Sequence, residues 1–211
     1  MSALHIDAGE TAVVVIECQN DLVHESKAEG GGIGGALARA VARRGTIEKT
    51  ARVLAAARAA GAPVLYATIE NRPDVPKPRC AIYRWSSGTA LLRAGSWGAQ
   101  VHERIAPVEG DHVINRHLSV DPSYGSSLFA TARALGRRTL VLMGVSTNFA
   151  VEGTVRGAVN RMFEVIVVED ACASAPDEMH DFSVQRILPL LATVTSADAV
   201  VTAFRTPAAA E

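Results

Sequence analysis

The stretch "TLVLMGVSTNFAVEGTVRGAVNRMFEVIVVEDA", residues 139–171, predicts a strand, a turn of small residues, a helix and a second strand in succession. Both apolar runs are rich in β-branched residues, which is typical of strands that are buried on both faces. Between them, Val155, Ala158 and Val159 recur at helical spacing. Two strands joined by a helix lie parallel in one sheet, so this stretch predicts a βαβ unit.

The same alternation continues along the whole chain. Residues 11–17, 63–70 and 111–116 predict three strands before this unit, and residues 192–195 predict a short strand after it. Helical segments rich in alanine separate the strands. We therefore expect one α/β domain over residues 1–211, with a mostly parallel sheet and helices on both faces.

Two segments interrupt this alternation. A segment rich in Pro and charge, at about residues 70–110, predicts a long lid-type loop of the kind that carries binding residues. The Gly-rich stretch "AEGGGIGG", residues 28–35, also predicts a loop. It lacks the Gly-Lys-Ser/Thr ending of a phosphate loop and a strand directly before it, so it indicates no nucleotide site.

Composition excludes several classes of function. The net charge is -1 and the sequence pI is about 6.6, which gives no electrostatic basis for binding nucleic acid or an anionic membrane. The apolar runs are too short to span a bilayer, and the first ten residues lack the pattern of a secretion signal. Cys18, Cys80 and Cys172 form neither a metal-binding spacing nor an even-numbered disulfide framework. We therefore expect a protein of the reducing cytoplasm.

Ligands of parallel α/β sheets bind beyond the carboxyl ends of the strands, which directs attention to three strand ends. At the first, Glu17 and Gln19 should point one way and Cys18 the other. One interpretation is structural: Asn20 and Asp21 cap the turn and Glu17 is a paired or solvated acid. The other is functional: apolar neighbours raise the pKa of Glu17, which then acts as a general acid or base.

The other two strand ends offer a cation and a turn. At the second, Asn115 and His117 should point one way and Arg116 the other, and the sequence leaves open which of them faces the cleft. At the third, main-chain N–H groups at the start of a helix could bind an anion or a developing oxyanion. An ordinary helix capped by Ser146 or Thr147 explains the same residues.

Together, "AVVVIECQNDLV", "DHVINRHLSVDPSYGSSL" and the block that opens this section resemble the isochorismatase-like cysteine hydrolases. That family includes nicotinamidases, N-carbamoylsarcosine amidases and isochorismatases. The resemblance covers nearly the whole chain and implies a three-layer α/β/α fold with a six-stranded parallel sheet. It also implies a cis peptide bond between Val145 and Ser146, and a homodimer or homotetramer.

The sequence departs from the catalytic Asp, Lys and Cys that the family's amide hydrolases use. Glu17 stands at the Asp position and Ala150 at the Cys position. Asn115 stands at the Lys position, or Arg116 if the register shifts by one residue. An alanine side chain cannot attack a carbonyl, so a thioester mechanism is excluded at that position. The His-containing metal motif of nicotinamidases is absent after the second strand, so we expect no catalytic metal and no cofactor.

Two hypotheses remain. The first is a hydrolase that acts on a small molecule by acid catalysis from Glu17, with Arg116 or His117 binding an anionic substrate. The second is a catalytically inactive member that binds small molecules or serves as an oligomeric scaffold. A hydroxyl nucleophile, Ser146 or Thr147, would need a base such as His117 in reach. The candidate substrate-binding residues are Gln19, Asn20, Tyr83, Trp85, Arg116, His117, Val145, Ser146 and Asn148.

Overall fold

A computed structural model of the chain describes residues 4–76, 78–86 and 90–206, without the side chains of residues 84–86. Six parallel strands form one sheet in the order β3-β2-β1-β4-β5-β6. The strands are β1 Thr11–Ile16, β2 Val64–Ile69, β3 His112–Arg116, β4 Thr139–Val145, β5 Glu164–Ala173 and β6 Thr193–Thr195. All six lie where the sequence predicts them, and the three-layer fold implied by the resemblance is confirmed.

Helices and single turns connect the strands. The α-helices are α1 Asn20–Val23, α2 Gly32–Arg44, α3 Thr46–Ala59, α4 Ala81–Ser86, α5 Leu128–Ala134, α6 Glu152–Val159, α7 Asp177–Phe182 and α8 Ala197–Arg205. Short 3₁₀ turns span Glu25–Lys27, Trp97–Ala99, Glu103–Ile105 and Leu188–Leu190, and π-helical turns span Thr147–Val151 and Ser183–Ile187. Within the described residues, every helix is too short or too polar to cross a membrane.

The centre of the sheet is fully buried. No residue of β1 is more than 1% exposed, because β1 has a strand on each side and helices on both faces. The chain leaves β1 toward β2 and β3 on one side, and continues from β4 to β5 and β6 on the other. Strand order therefore reverses between β1 and β4, and a crevice opens beyond their carboxyl ends.

The Gly-rich stretch corrects one expectation. The sequence predicts a loop over residues 28–35, but α2 begins within it, at Gly32. A Cβ atom at Gly34 would lie 2.7 Å from the main-chain oxygen of Asp21. Glycine therefore lets the start of α2 pack directly against the segment that follows β1. Low helix propensity hides this helix start from a sequence pattern.

A second close backbone approach occurs where β1 and β4 end. Gly144 lies opposite Ile16 in the sheet and has a φ of 126°, which side chains rarely allow. A Cβ atom there would lie 2.1 Å from the main-chain oxygen of Ile16. The register between β4 and β5 also shifts between Leu142 and Gly144. This irregularity sets the path of the turn that follows β4.

Replacing Gly144 by Ala is expected to lower the free energy of unfolding by about 3 kcal/mol or more, since the variant combines a strained φ with a main-chain overlap. Chemical denaturation measures the loss. Gly61→Ala is the matched control, because Gly61 also has a positive φ of 76° but its Cβ would meet open space. It should cost only about 1 kcal/mol. Equal losses in the two variants would contradict the role given to the Ile16 contact.

Candidate active site

Three strand ends meet at one cavity of about 180 Å³. Glu17 follows β1 directly, Arg116 is the last residue of β3, and the turn after β4 contributes Ser146, Phe149 and Ala150. The remaining lining is mainly aliphatic: Leu22, Ile33, Leu37, Ile69, Ile82, Leu91, Leu92 and Val120, with Asn71, Tyr83 and Ser119 as polar members. The site is therefore a mainly apolar chamber, with one acid and one cation among its described wall residues.

Glu17 and Arg116 form a buried ion pair. The guanidinium donates a hydrogen bond to Oε1 of Glu17, and the two side chains are 14% and 5% exposed. Arg116 also donates to the main-chain oxygens of Ser119 and Thr68. In the part of the chain that the structure describes, Arg116 is the one hydrogen-bond donor to the Glu17 carboxylate. The acid and the cation thus depend on each other for charge balance.

The backbone conformation of Glu17 and the pKa of its carboxyl group are both unusual. Its φ is 51°, a left-handed conformation that costs a residue with a Cβ about 1 kcal/mol or more. Burial raises the pKa of the Glu17 carboxyl above its ordinary value, although the Arg116 charge and hydrogen bond pull it downward. Strained backbone and a perturbed carboxyl in one cavity are features of functional sites.

The end of β3 separates the two candidates for the family's Lys position. Strand alternation turns Arg116 toward Glu17 and Asn115 away from it. The Asn115 amide instead donates to Glu70 Oε2 at 2.8 Å. His117 lies with Asn115 along a second, wider cleft of about 630 Å³, which shares Arg116 and two other wall residues with the first cavity. The Nδ1 atom of His117 lies 3.3 Å from the Glu70 main-chain oxygen. The structure thus brings Arg116 to the acid, and it brings neither Asn115 nor His117 there.

Polar residues after β1 hold the backbone together instead of lining the cavity. The Gln19 amide donates to the main-chain oxygens of Ile69 and Ala99 at 2.8 and 2.7 Å, and accepts from the Ile69 N–H at 2.9 Å. Asn20 donates to the main-chain oxygen of Trp97 at 2.9 Å. Both side chains were substrate-binding candidates, and both are engaged in fixing the segment that closes over the site.

The turn after β4 contains the cis peptide bond between Val145 and Ser146 that the resemblance implies. Val145 is fully buried, and Ser146 lines the cavity. Asn148 accepts a hydrogen bond from Ser174 and is absent from the cavity wall. Ala150 is 2% exposed and presents its methyl group to the cavity, at the position that the resemblance assigns to the catalytic thiol.

A hydroxyl nucleophile finds no base at this turn. Thr147 is fully buried, and its Oγ1 lies 2.8 Å from Nδ1 of His180. Nε2 of His180 lies 2.5 Å from Arg44, which can only donate, so Nδ1 carries the hydrogen and donates to Thr147. His180 therefore cannot take a proton from Thr147. Among the described residues, no base is hydrogen-bonded to the Ser146 hydroxyl either.

Thiols are also absent from the described cavity wall. Cys18 and Cys172 are buried, while Cys80 is exposed. Burial raises the pKa of Cys172 to about 12 and raises that of Cys18 as well, so both remain neutral thiols at neutral pH. Neither buried cysteine is therefore a candidate nucleophile.

The lid-type segment contributes several wall residues. Ile82, Tyr83, Leu91 and Leu92 line the cavity, and the Tyr83 hydroxyl accepts a hydrogen bond from the Ser119 N–H. The side chain of Trp85 lies outside the described residues. Phe149 is 46% exposed at the rim, so neither it nor Arg116 fills the chamber.

A second polar cluster escaped the sequence analysis. His24, Glu25, His102 and Glu103 bring ligand-type atoms within 4.8 Å of one another. Each His accepts at Nδ1 from the main-chain N–H two residues later, at 3.1 and 3.2 Å, although His24 Nδ1 also lies 2.8 Å from a Ser hydroxyl. Nε2 then carries the hydrogen, and His102 Nε2 lies 3.2 Å from Glu25 while His24 Nε2 lies 3.5 Å from Glu103. This reciprocal arrangement links two 3₁₀ turns through satisfied hydrogen bonds.

Comparison with known proteins adds to this geometry. The sequence profile of the Isochorismatase domain matches residues 11–199. Ureidoacrylate amidohydrolase RutB from Methylobacterium radiotolerans is 31% identical over 224 residues, which cover 97% of this chain and 83% of that protein. The uncharacterized isochorismatase family protein YecD from Escherichia coli O157:H7 is 28% identical over 95% of this chain and 100% of its own length.

Solved structures of similar proteins have the same fold as this chain. N-carbamoylsarcosine amidase from Thermoplasma acidophilum superposes with a TM-score of 0.70 at 30% identity, over 90% of this chain and 97% of that one. An isochorismatase family protein from Desulfovibrio vulgaris superposes with a TM-score of 0.78 at 24% identity, over 93% and 99% of the two chains. The second likeness shows a shared fold.

The buried His180 predicts a pH dependence of stability. Burial, with a further contribution from Arg44, lowers the pKa of His180 to about 4. The pKa of a His in an unfolded chain is about 6.5. Between about pH 4 and this value the unfolded chain therefore binds more protons than the folded protein. Stability is therefore full above about pH 6.5 and falls as the pH decreases toward 4, by about 2 kcal/mol at pH 5.

Denaturation curves between pH 5 and pH 7.5 measure this dependence. His180→Gln should flatten the pH dependence, and comparison with the unchanged protein cancels the groups that titrate in both. Thr147→Val is the matched control, because it keeps the buried His180 beside Arg44 and should keep most of the slope. An identical slope in the His180→Gln variant would show that another group is responsible.

Proposed function

Because this chain belongs to the isochorismatase family of hydrolases, we propose that it hydrolyses a small molecule by proton transfer from Glu17, without a covalent intermediate. One observation carries the proposal. Among the described residues that line the cavity, Glu17 is the sole carboxylic acid, and it lies in the same wall as Ala150. An acid without a neighbouring nucleophile can donate or accept a proton but cannot form an acyl intermediate with its substrate through a thiol.

The missing nucleophile restricts the types of bond that the protein could cleave. Ureidoacrylate amidohydrolase and N-carbamoylsarcosine amidase are named for action on nitrogen-containing groups. Amide cleavage in this family depends on a thiol, and position 150 here carries a methyl group. A vinyl ether needs no nucleophilic side chain, because protonation of its terminal carbon gives an oxocarbenium ion. Water then adds, and the hemiketal separates into a ketone and an alcohol.

The surroundings of Glu17 fit a proton donor. The aliphatic wall disfavours the ionised carboxylate, and burial raises the pKa of Glu17 accordingly. Arg116 opposes this effect, and it also offers the one described cation in the wall to an anionic substrate. The proposed roles are therefore Glu17 as the acid and Arg116 as its partner and the substrate's counter-ion.

A hydrolysis screen of vinyl ethers and small amides tests the function. We expect turnover of a vinyl ether, and a fall in kcat/KM of about 100-fold or more in Glu17→Gln, the usual effect of losing a general acid. Glu70→Gln is the matched control, since Glu70 bonds to Asn115 outside the cavity, and it should retain activity. Turnover that survives Glu17→Gln would refute the acid. Tight binding with no turnover of any compound would establish the non-catalytic alternative.

Thiol alkylation tests the mechanism independently. A Cys80→Ser variant removes the exposed thiol, and its vinyl-ether activity should be unchanged after iodoacetamide treatment. Ala150→Cys in the same background places a thiol in the cavity wall and should become sensitive to the reagent, because a modified side chain would occupy the chamber. Inactivation of the Cys80→Ser variant itself would reveal a cysteine in the reaction and count against proton transfer alone.

A further inference from the structure

We propose that Arg116 is the receptor for the carboxylate of an apolar monoanionic substrate, which takes the place of Glu17 on the guanidinium and leaves Glu17 protonated. Only the later donation of this proton to the substrate during hydrolysis rests on the proposed function. The exchange itself is a property of the buried pair and its chamber.

The first support is the bonding of Arg116. Its Nε and one terminal nitrogen donate to the Ser119 oxygen at 3.4 and 3.3 Å, and the other terminal nitrogen donates to the Thr68 oxygen at 3.2 Å. These contacts fix the guanidinium to neutral main-chain acceptors. The single anion that the described structure gives it is Glu17, a carboxylate. A ligand carboxylate presents the same acceptor geometry to the same planar donor.

The second support is the chamber around the pair. Eight aliphatic side chains and the rim residue Phe149 form most of its wall, and Arg116 is the one cation among the described lining residues. Among these described residues a second carboxylate on the ligand would find no further cation, and it would be costly to bury. The cavity of about 180 Å³ therefore favours a small aliphatic or aromatic body with one negative charge.

The third support is charge balance. In the proposed exchange the resting pair is neutral overall, with an ionised Glu17 carboxylate bound to the Arg116 guanidinium. A bound ligand carboxylate would place two anions on one buried guanidinium, and two such anions cannot both stay ionised in an apolar chamber. Glu17 then takes one proton from solvent, which forms the carboxyl O–H bond and breaks an O–H bond of hydronium, and no other bond forms or breaks. Binding of the substrate thus protonates Glu17, the acid that is proposed to donate this proton to the same substrate.

The groups that face Glu17 permit this exchange. Arg116 approaches from β3, and the thiol of Cys18 adjoins Glu17 in the chain. Burial raises the pKa of that thiol, so it stays neutral and supplies no charge of its own at neutral pH. In the described structure no further charged group contacts the Glu17 carboxyl. Proton uptake on binding is therefore assigned to Glu17.

Calorimetry of the unmodified protein with benzoate tests the exchange, using pairs of buffers with different ionisation enthalpies. We expect uptake of close to one proton for each bound benzoate, and a Kd that rises about tenfold for each unit increase in pH. Benzyl alcohol, a neutral ligand of similar shape, should show neither effect. Benzoate binding without proton uptake and with a flat pH profile would overturn the proposal, as would a failure of benzoate to bind.

A complementary experiment removes the native carboxylate. Glu17→Ala leaves Arg116 without its anion, so propionate should raise the Tm of this variant by about 3 °C or more, while propionamide should not. Adding Arg116→Met should abolish the propionate effect. If Glu17→Ala does not fold, the calorimetry of the unmodified protein still tests the exchange. Proton-coupled binding without turnover would refute the proposed function alone, and turnover with pH-independent binding would refute the exchange alone.

Discussion

The ion pair between Glu17 and Arg116 joins two strand ends that are 99 residues apart in the chain. Removing one partner of a buried pair leaves an uncompensated charge, at a typical cost of about 3 to 5 kcal/mol. The pair therefore sets the charge state of the chamber as well as its shape. In the proposed exchange, Glu17 acts as an acid once a substrate carboxylate has replaced it on the Arg116 guanidinium.

Each conventional nucleophile fails for a separate physical reason. The position that the resemblance assigns to the catalytic thiol carries the methyl group of Ala150. The buried thiols Cys18 and Cys172 are held neutral by desolvation. Thr147 lies beside an imidazole whose acceptor nitrogen is occupied by Arg44. The proposed proton transfer from Glu17 needs none of these groups.

The sequence predicted strands better than it predicted side-chain partners. The sequence located all six strands. The pattern was strongest for β1, β2, β4 and β5, whose β-branched runs are buried on both faces. Strand alternation correctly separated Asn115 from Arg116, but the choice between them depends on the position of β3 in the sheet, which no local pattern encodes. The contact between Thr147 and His180 spans 33 residues and gave no signal at all. The helix that starts at Gly32 was missed because its first turn includes Gly34, which allows close packing against Asp21 but has low helix propensity.

The polar residues that follow β1 show how a structural role can imitate a catalytic one. Asp21 accepts a hydrogen bond from the Leu92 N–H at 2.7 Å and pairs with Lys27 at 2.7 Å. A Cβ at Gly98 would lie 2.0 Å from the Asp21 carboxylate, so that glycine is needed for the same contact. Since Leu92 belongs to the cavity wall, Asp21 and its neighbours Gln19 and Asn20 hold the lid-type segment in place. Glu17 differs from these three residues, because its carboxyl makes no hydrogen bond to the described backbone, and this leaves it available for the proposed acid role.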